Sequence, residues 1–124
     1  MKRVMKGNIY YANLDPVIGS EQGGNRPVVV VSNNIGNNYS STVMVAPITS
    51  SENNKSDLPT HVEIKEILKN DSIILTEQVR SIDKTRLKEF KGRVNKKTEL
   101  KIDEALIVAF GINIEKITDK MIYF

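Results

Sequence analysis

Gly19-Ser20-Glu21-Gln22-Gly23-Gly24-Asn25-Arg26-Pro27, followed at once by Val28-Val29-Val30-Val31, is the stretch around which the chain is organised. Its first half is a polar loop that holds a carboxylate and a guanidinium close together; its second half is the most β-prone run in the sequence. A charged loop anchored to a buried strand is a common way for a small domain to present reactive side chains. The glycines let the backbone take positive φ or approach a ligand closely. Pro27 biases Arg26 toward extended backbone at the entry to the strand. The same residues would also serve an ordinary β-connection whose glycines only turn the chain.

On either side of this stretch the pattern is mostly β. Gly7 to Leu14 reads as a strand, and Pro27 to Ser32 as one buried on both faces. Asn33 to Asn38 reads as a turn or loop, and Thr42 to Ile48 as a third strand with Pro47 near its end. Thr49 to Pro59 is polar and is the longest loop candidate. His61-Val62-Glu63-Ile64 alternates, with Val62 and Ile64 inward and His61 placed on the outer surface. Ser72 to Leu75 is a further buried strand, and Thr85 to Val94 extends the sheet without clean alternation. From Asn95 or Thr98 to Ile112 the period becomes helical, through Ile102, Ala105, Leu106, Ala109 and Phe110. Asn113 to Phe124 reads as an added strand or a docked tail. The expected fold is α+β but mostly β: a strongly bent antiparallel sheet or small open barrel with a C-terminal helix.

A chain of 124 residues fits a single domain, 1–124, with 113–124 as a C-terminal extension. At 40% hydrophobic and 27% charged it reads as folded. It has no apolar run of the roughly 20 residues needed to span a bilayer. It also lacks a signal-peptide stretch and any cysteine, as a cytoplasmic protein would. Of the net charge of +3, the segment Lys84 to Lys101 holds eight basic against two acidic residues. That excess could attract polyphosphate, or could simply be a solvated surface.

A single histidine, His61, rules out a two-histidine acid–base pair within one protomer and a His-rich metal site. The phosphate-loop and nucleophile-elbow patterns are missing, so no metal or cofactor is expected. What remains are loop-borne polar groups near strand ends: Ser20, Glu21, Gln22 and Arg26; Thr49 and Ser50; Glu77, Gln78, Arg80 and Asp83. Brought to one rim, they would form a cleft suited to a phosphodiester. Arginine can hold two phosphate oxygens through its planar fork.

Six colinear motifs sharpen this reading. They are G-x-I-Y-Y-A-x-L-x-P from Gly7, G-S-E-Q-G-G-x-R-P from Gly19, A-P-I-T from Ala46, L-P-T-H-V from Leu58, D-S-I-I-L-x-E-Q-V-R-S-I-D from Asp71, and D-E-A-L from Asp103. With them the chain resembles the MazF/PemK family of toxin endoribonucleases, in its Gram-positive form. The resemblance implies an SH3-like barrel, a homodimer, and metal-independent cleavage of single-stranded mRNA at a short sequence. It also implies a cognate MazE-like antitoxin. The family's catalytic arginine falls on Arg26, its threonine on Thr49, and its loop carboxylate on Glu21. Glu21 is then either the general base or the ion-pair partner that orients Arg26. Ser20, Gln22, Ser50, Pro59, Glu77, Gln78 and Arg80 become candidates for contacting RNA. With aromatic residues at only 6%, stacking on several rings is not expected. The rival readings are a barrel-fold toxin that poisons a protein target, and a non-catalytic RNA-binding module.

Overall fold

The computed structural model describes residues 3–51, 58–65 and 67–121. Seven strands occur in the order β1 (Asn8–Asn13), β2 (Asn25–Val30), β3 (Thr42–Ser50), β4 (His61–Ile64), β5 (Ser72–Leu75), β6 (Arg80–Asp83) and β7 (Leu87–Arg93). The helices are α1 (Asn34–Tyr39), α2 (Lys96–Phe110) and α3 (Ile114–Met121), with one-turn 3-10 segments at Thr76–Gln78 and Lys84–Arg86. No helix among the described residues is long and apolar enough to cross a membrane.

All strand pairs are antiparallel. One sheet runs β7-β1-β2-β3-β6 and the other β4-β5-β3, so β3 belongs to both. Of the two expected architectures the strongly bent sheet forms, not a closed barrel. Among the described residues β4, β6 and β7 are each paired on one side only.

The valine run explains the bend. Successive side chains of a strand point to opposite faces, and β2 feeds a core on each. Val29 packs with Ile9, Ala46, Ile48 and Ile74 beneath α2, while Val28 and Val30 pack with Tyr10, Ala12 and Val45. Register shifts between β1 and β7, either side of Tyr10, account for the uneven apolar spacing of Thr85–Val94.

Two expectations change. Asn33–Asn38 is not a plain turn: the Asn33 side chain caps α1 by accepting from Gly36 N at 2.8 Å, and the buried Asn37 side chain ties back to Ser32. Asn113–Phe124 is neither strand nor docked tail through its described part. It is helix α3, exposed from Ile114 to Lys120, with Ile114 and Ile117 open to solvent.

Helix α2 follows its sequence signals. Asn95 Oδ1 accepts from Thr98 N at 2.8 Å, and Gly111 closes the helix in the left-handed region. Ile102 and Ala105 are buried against the sheet and Leu106 packs beside them, but Phe110, counted with that stripe, is exposed. Removing such a cap costs about 1 kcal/mol. Asn95→Ala should lower the urea midpoint accordingly with the m-value unchanged; an unshifted midpoint would show that the cap contributes nothing.

Candidate functional site

The loop Gly19–Asn25 is held against the start of the fold by its own glycines. Leu14 N donates to Gly24 O at 3.0 Å, and Gly24 N donates to Asp15 Oδ1 at 2.9 Å. Gly24 has φ +74°. A Cβ on Gly23 would lie 2.4 Å from Val17 Cγ2 and 2.7 Å from Asp15 Oδ1, so only glycine fits there. The carbonyl of that residue then accepts from Arg26 Nε at 2.8 Å. Burial pulls the Arg26 guanidinium below its ordinary pKa, and the Asp15 carboxylate pushes it back up.

Arg26 and Thr49 are related by strand register. The β2–β3 ladder pairs Val30 with Val45, Val29 with Ala46 and Val28 with Pro47. The ladder ends there, and Arg26 on β2 and Thr49 on β3 each lie two residues beyond the last pair. Thr49 is not in a loop, as its sequence context predicts. It and Ser50 lie in β3, held by β5 through the pairs Thr49–Ile73 and Ser50–Ser72.

Two cavities flank these strand ends. The first, about 500 Å³, is lined by Thr49, Ser50, Lys69, Lys91, Tyr11 and Phe90 among others. The second, about 570 Å³, collects Ser20, Glu21, Gln22, Glu77, Gln78 and Arg80. Pro27, next to Arg26, lines the first, and Pro47 lines the second. Thr49 and Ser50 thus line one cavity and the loop and 3-10 candidates the other, and Arg26 itself lines neither of the two.

Inside the second cavity the polar groups are already oriented. Gln22 N donates to Gln78 Oε1 at 2.8 Å, clamping the loop to the 3-10 turn. Arg80 Nη1 donates to Leu14 O at 2.8 Å. Glu21 turns back on its own loop and accepts from Ile18 N. Among the described residues no ion pair joins it to Arg26; the carboxylate that acts on the Arg26 charge is that of Asp15. In the sequence Asp15 shows only as the residue before Pro16 in the first motif; nothing in its spacing marks it.

Other candidates lie apart. Pro59 lines a separate cavity against α2, and residues 52–57 of the expected reading loop lie outside the described residues. His61 is not a surface residue. Its side chain is only 9% exposed, and Nε2 lies 2.9 Å from Glu77 Oε2, while Thr60 Oγ1 donates to Glu77 Oε1 at 3.3 Å. Both oxygens of Glu77 are therefore bonded, one by Thr60 and the other by His61 at the start of β4. Asp83 lies outside both cavities; it bonds Thr85 N and Oγ1, and these bonds hold its carboxyl below the ordinary value. The basic run Lys84–Lys101 is not one patch: Arg86 bonds Asn13 O and Asp15 O, Arg93 bonds Asn8 Oδ1, and of this run Lys91 alone lines the first cavity.

Comparison with known proteins agrees with this arrangement. The family described as "PemK-like, MazF-like toxin of type II toxin-antitoxin system" matches residues 5–110 and stops at the end of α2. Endoribonuclease MazF of Staphylococcus epidermidis is 49% identical over 113 residues, covering 89% of this chain and 93% of that protein. The crystal structure of MazF (Form-I) from Deinococcus radiodurans superimposes with a TM-score of 0.75 at 25% identity, covering 87% of this chain and 96% of that one. A mycobacterial endoribonuclease in complex with its cognate antitoxin shares the fold at a TM-score of 0.75 and 24% identity, over 88% and 96% of the two chains. With a family match over residues 5–110 and a relative 49% identical over most of both chains, the chain belongs to the PemK-like, MazF-like toxin family of type II toxin–antitoxin systems.

Proposed function

We propose that this MazF-type toxin endoribonuclease cuts single-stranded mRNA with Arg26 and Thr49 as its charge-stabilising pair and Glu21 as general base. The observation that supports the reading is the β2–β3 pairing, which ends at Val28–Pro47 and leaves Arg26 and Thr49 each two residues beyond it on neighbouring strands. Metal-independent cleavage uses the adjacent 2′-OH. Its proton passes to Glu21, its oxygen bonds the phosphorus, and the bond to the 5′-oxygen breaks as that oxygen takes a proton from solvent water. The products are a 2′,3′-cyclic phosphate and a 5′-OH. Negative charge grows on the phosphoryl oxygens in the transition state, and donors fixed in advance stabilise it most. Arginine stays protonated at neutral pH, so it is a clamp for that charge rather than a base.

The second cavity suits base edges. Glu21, Glu77 and Gln78 offer acceptors to exocyclic amines, with Ser20, Gln22 and Arg80 at their side. Ser50 stands beside Thr49 in the first cavity, and Pro59 is the remaining candidate, in its separate cavity against α2. As a toxin of a type II system the protein has a cognate antitoxin of MazE type as its partner, acts in the cytoplasm and works as a homodimer. Residues 1–124 form one domain with α3 as its extension.

The deciding experiment incubates purified protein with defined single-stranded RNA in excess EDTA and maps the ends. Discrete cuts with cyclic-phosphate termini are expected; RNA retarded but intact would overturn the reading. Thr49→Ala should lower turnover about 10²-fold, in the range of a lost oxyanion donor. Thr49→Ser should retain activity, because only the hydroxyl donates. A fully active Thr49→Ala protein would remove Thr49 from the mechanism.

A further inference from the structure

We propose that the first cavity is a nucleotide-holding subsite of the RNA track: one nucleotide beside the scissile phosphate stacks its base on Tyr11 and sets its phosphate between Lys69 and Lys91. This rests on the ribonuclease reading and adds a binding element to it. The two cavities differ sharply in charge. The first has two lysines and no acidic side chain in its lining. The second has two carboxylates, and its single arginine already donates to Leu14 O. A phosphate crossing the ends of β2 and β3 is therefore drawn to the first and repelled from the second.

The first cavity also carries two exposed rings. Tyr11 on β1 is 36% exposed and Phe90 on β7 is 48% exposed. Phe90 is braced edge-on by the buried Tyr10 ring at 5.5 Å between centroids. The Lys91 ammonium lies 4.9 Å from the Tyr11 ring centroid and 3.5 Å from a mostly exposed Glu89. Both are weak surface contacts. A nucleotide can replace them with a phosphate on the ammonium and a base on the ring. A cavity of about 500 Å³ is ample for one nucleotide, and Thr49 in its wall joins it to the reacting phosphate. Because every base has a π-face, such a subsite tolerates sequence. It would hold the strand while the carboxylate-lined cavity reads it.

The test first maps the cut site. It then measures binding of an oligonucleotide carrying that site with a 2′-deoxy nucleotide at the cleavage position. Loss of one stacked base weakens binding by roughly 10-fold. Tyr11→Ala should raise Kd by about that factor. Tyr11→Leu, which keeps apolar cover without a π-face, should match it, and Tyr11→Phe should bind like wild type. An abasic nucleotide at one flanking position should weaken wild type and leave Tyr11→Ala no weaker than before. Lys69→Gln with Lys91→Gln should flatten the plot of log affinity against log salt by about 0.7 for each phosphate no longer neutralised. Tyr11→Ala and Tyr11→Leu proteins that bind as wild type, or abasic losses that simply add to theirs, would overturn the subsite. Wild-type protein that leaves every RNA uncut would overturn the ribonuclease reading itself.

Discussion

Arg26→Ala is expected to lower single-turnover RNA cleavage by about 10²–10³-fold or more, the range seen when a preorganised donor to a developing oxyanion is removed. The guanidinium is partly buried, its Nε is committed to Gly23 O, and its terminal nitrogens extend beyond that contact. The cost of desolvating it is incurred on folding, so it meets the phosphate without further reorganisation. Arg26→Lys should fall between wild type and Arg26→Ala. It keeps the positive charge but loses the planar fork and the Nε bond that aims it. Circular dichroism and the thermal midpoint establish that each variant is folded. A folded Arg26→Ala protein cutting within a few-fold of wild type would remove the guanidinium from the chemistry.

Gly23→Ala should be nearly as damaging to activity, although residue 23 contributes no side chain to the site. The new methyl would sit 2.4 Å from Val17 Cγ2 and 2.7 Å from Asp15 Oδ1. Val17 is β-branched and stiff, and Asp15 Oδ1 is held by Gly24 N. The loop must move, and with it the carbonyl that aims Arg26 and the carboxylate that acts on its charge. A misplacement of about 1 Å can cost 10²-fold in rate. We expect a fall of that order in kcat with only a small change in the thermal midpoint, because neither core cluster includes Gly23. An active Gly23→Ala enzyme would show that the loop does not position Arg26.

Most strands can be read from the chain because their burial is regular. Val28-Val29-Val30 feeds two cores, and Val62 and Ile64 face one of them. The misreadings share a cause: a tertiary contact reverses a local preference. Asn33–Asn38 is the exception, where local bonds decide: it has turn composition, yet the Asn33 side chain caps it and the Asn37 side chain bonds back to Ser32 O, and a short helix forms. His61 sits on the polar side of an alternating strand, yet the 3-10 turn after β5 brings Glu77 to it and covers it. Glu21 stands out by its motif, while Asp15 acts on Arg26 only because the chain folds the start of the loop beneath its end. The site residues are recognisable through their motifs. Their partners are not, since a hydrogen bond across 56 positions, such as Gln22 to Gln78, leaves no periodic trace.

Strand β3 has a consequence for how such a toxin is silenced. It is bonded to β2, β5 and β6, so both sheets are sewn through the one segment that carries Thr49. Fraying at α3 or along β7 leaves that seam intact, and the seam gives way only when the whole molecule opens. The enzyme therefore has no dormant half-folded form to retreat into, and restraint has to be imposed from outside, by a bound cover or by destruction.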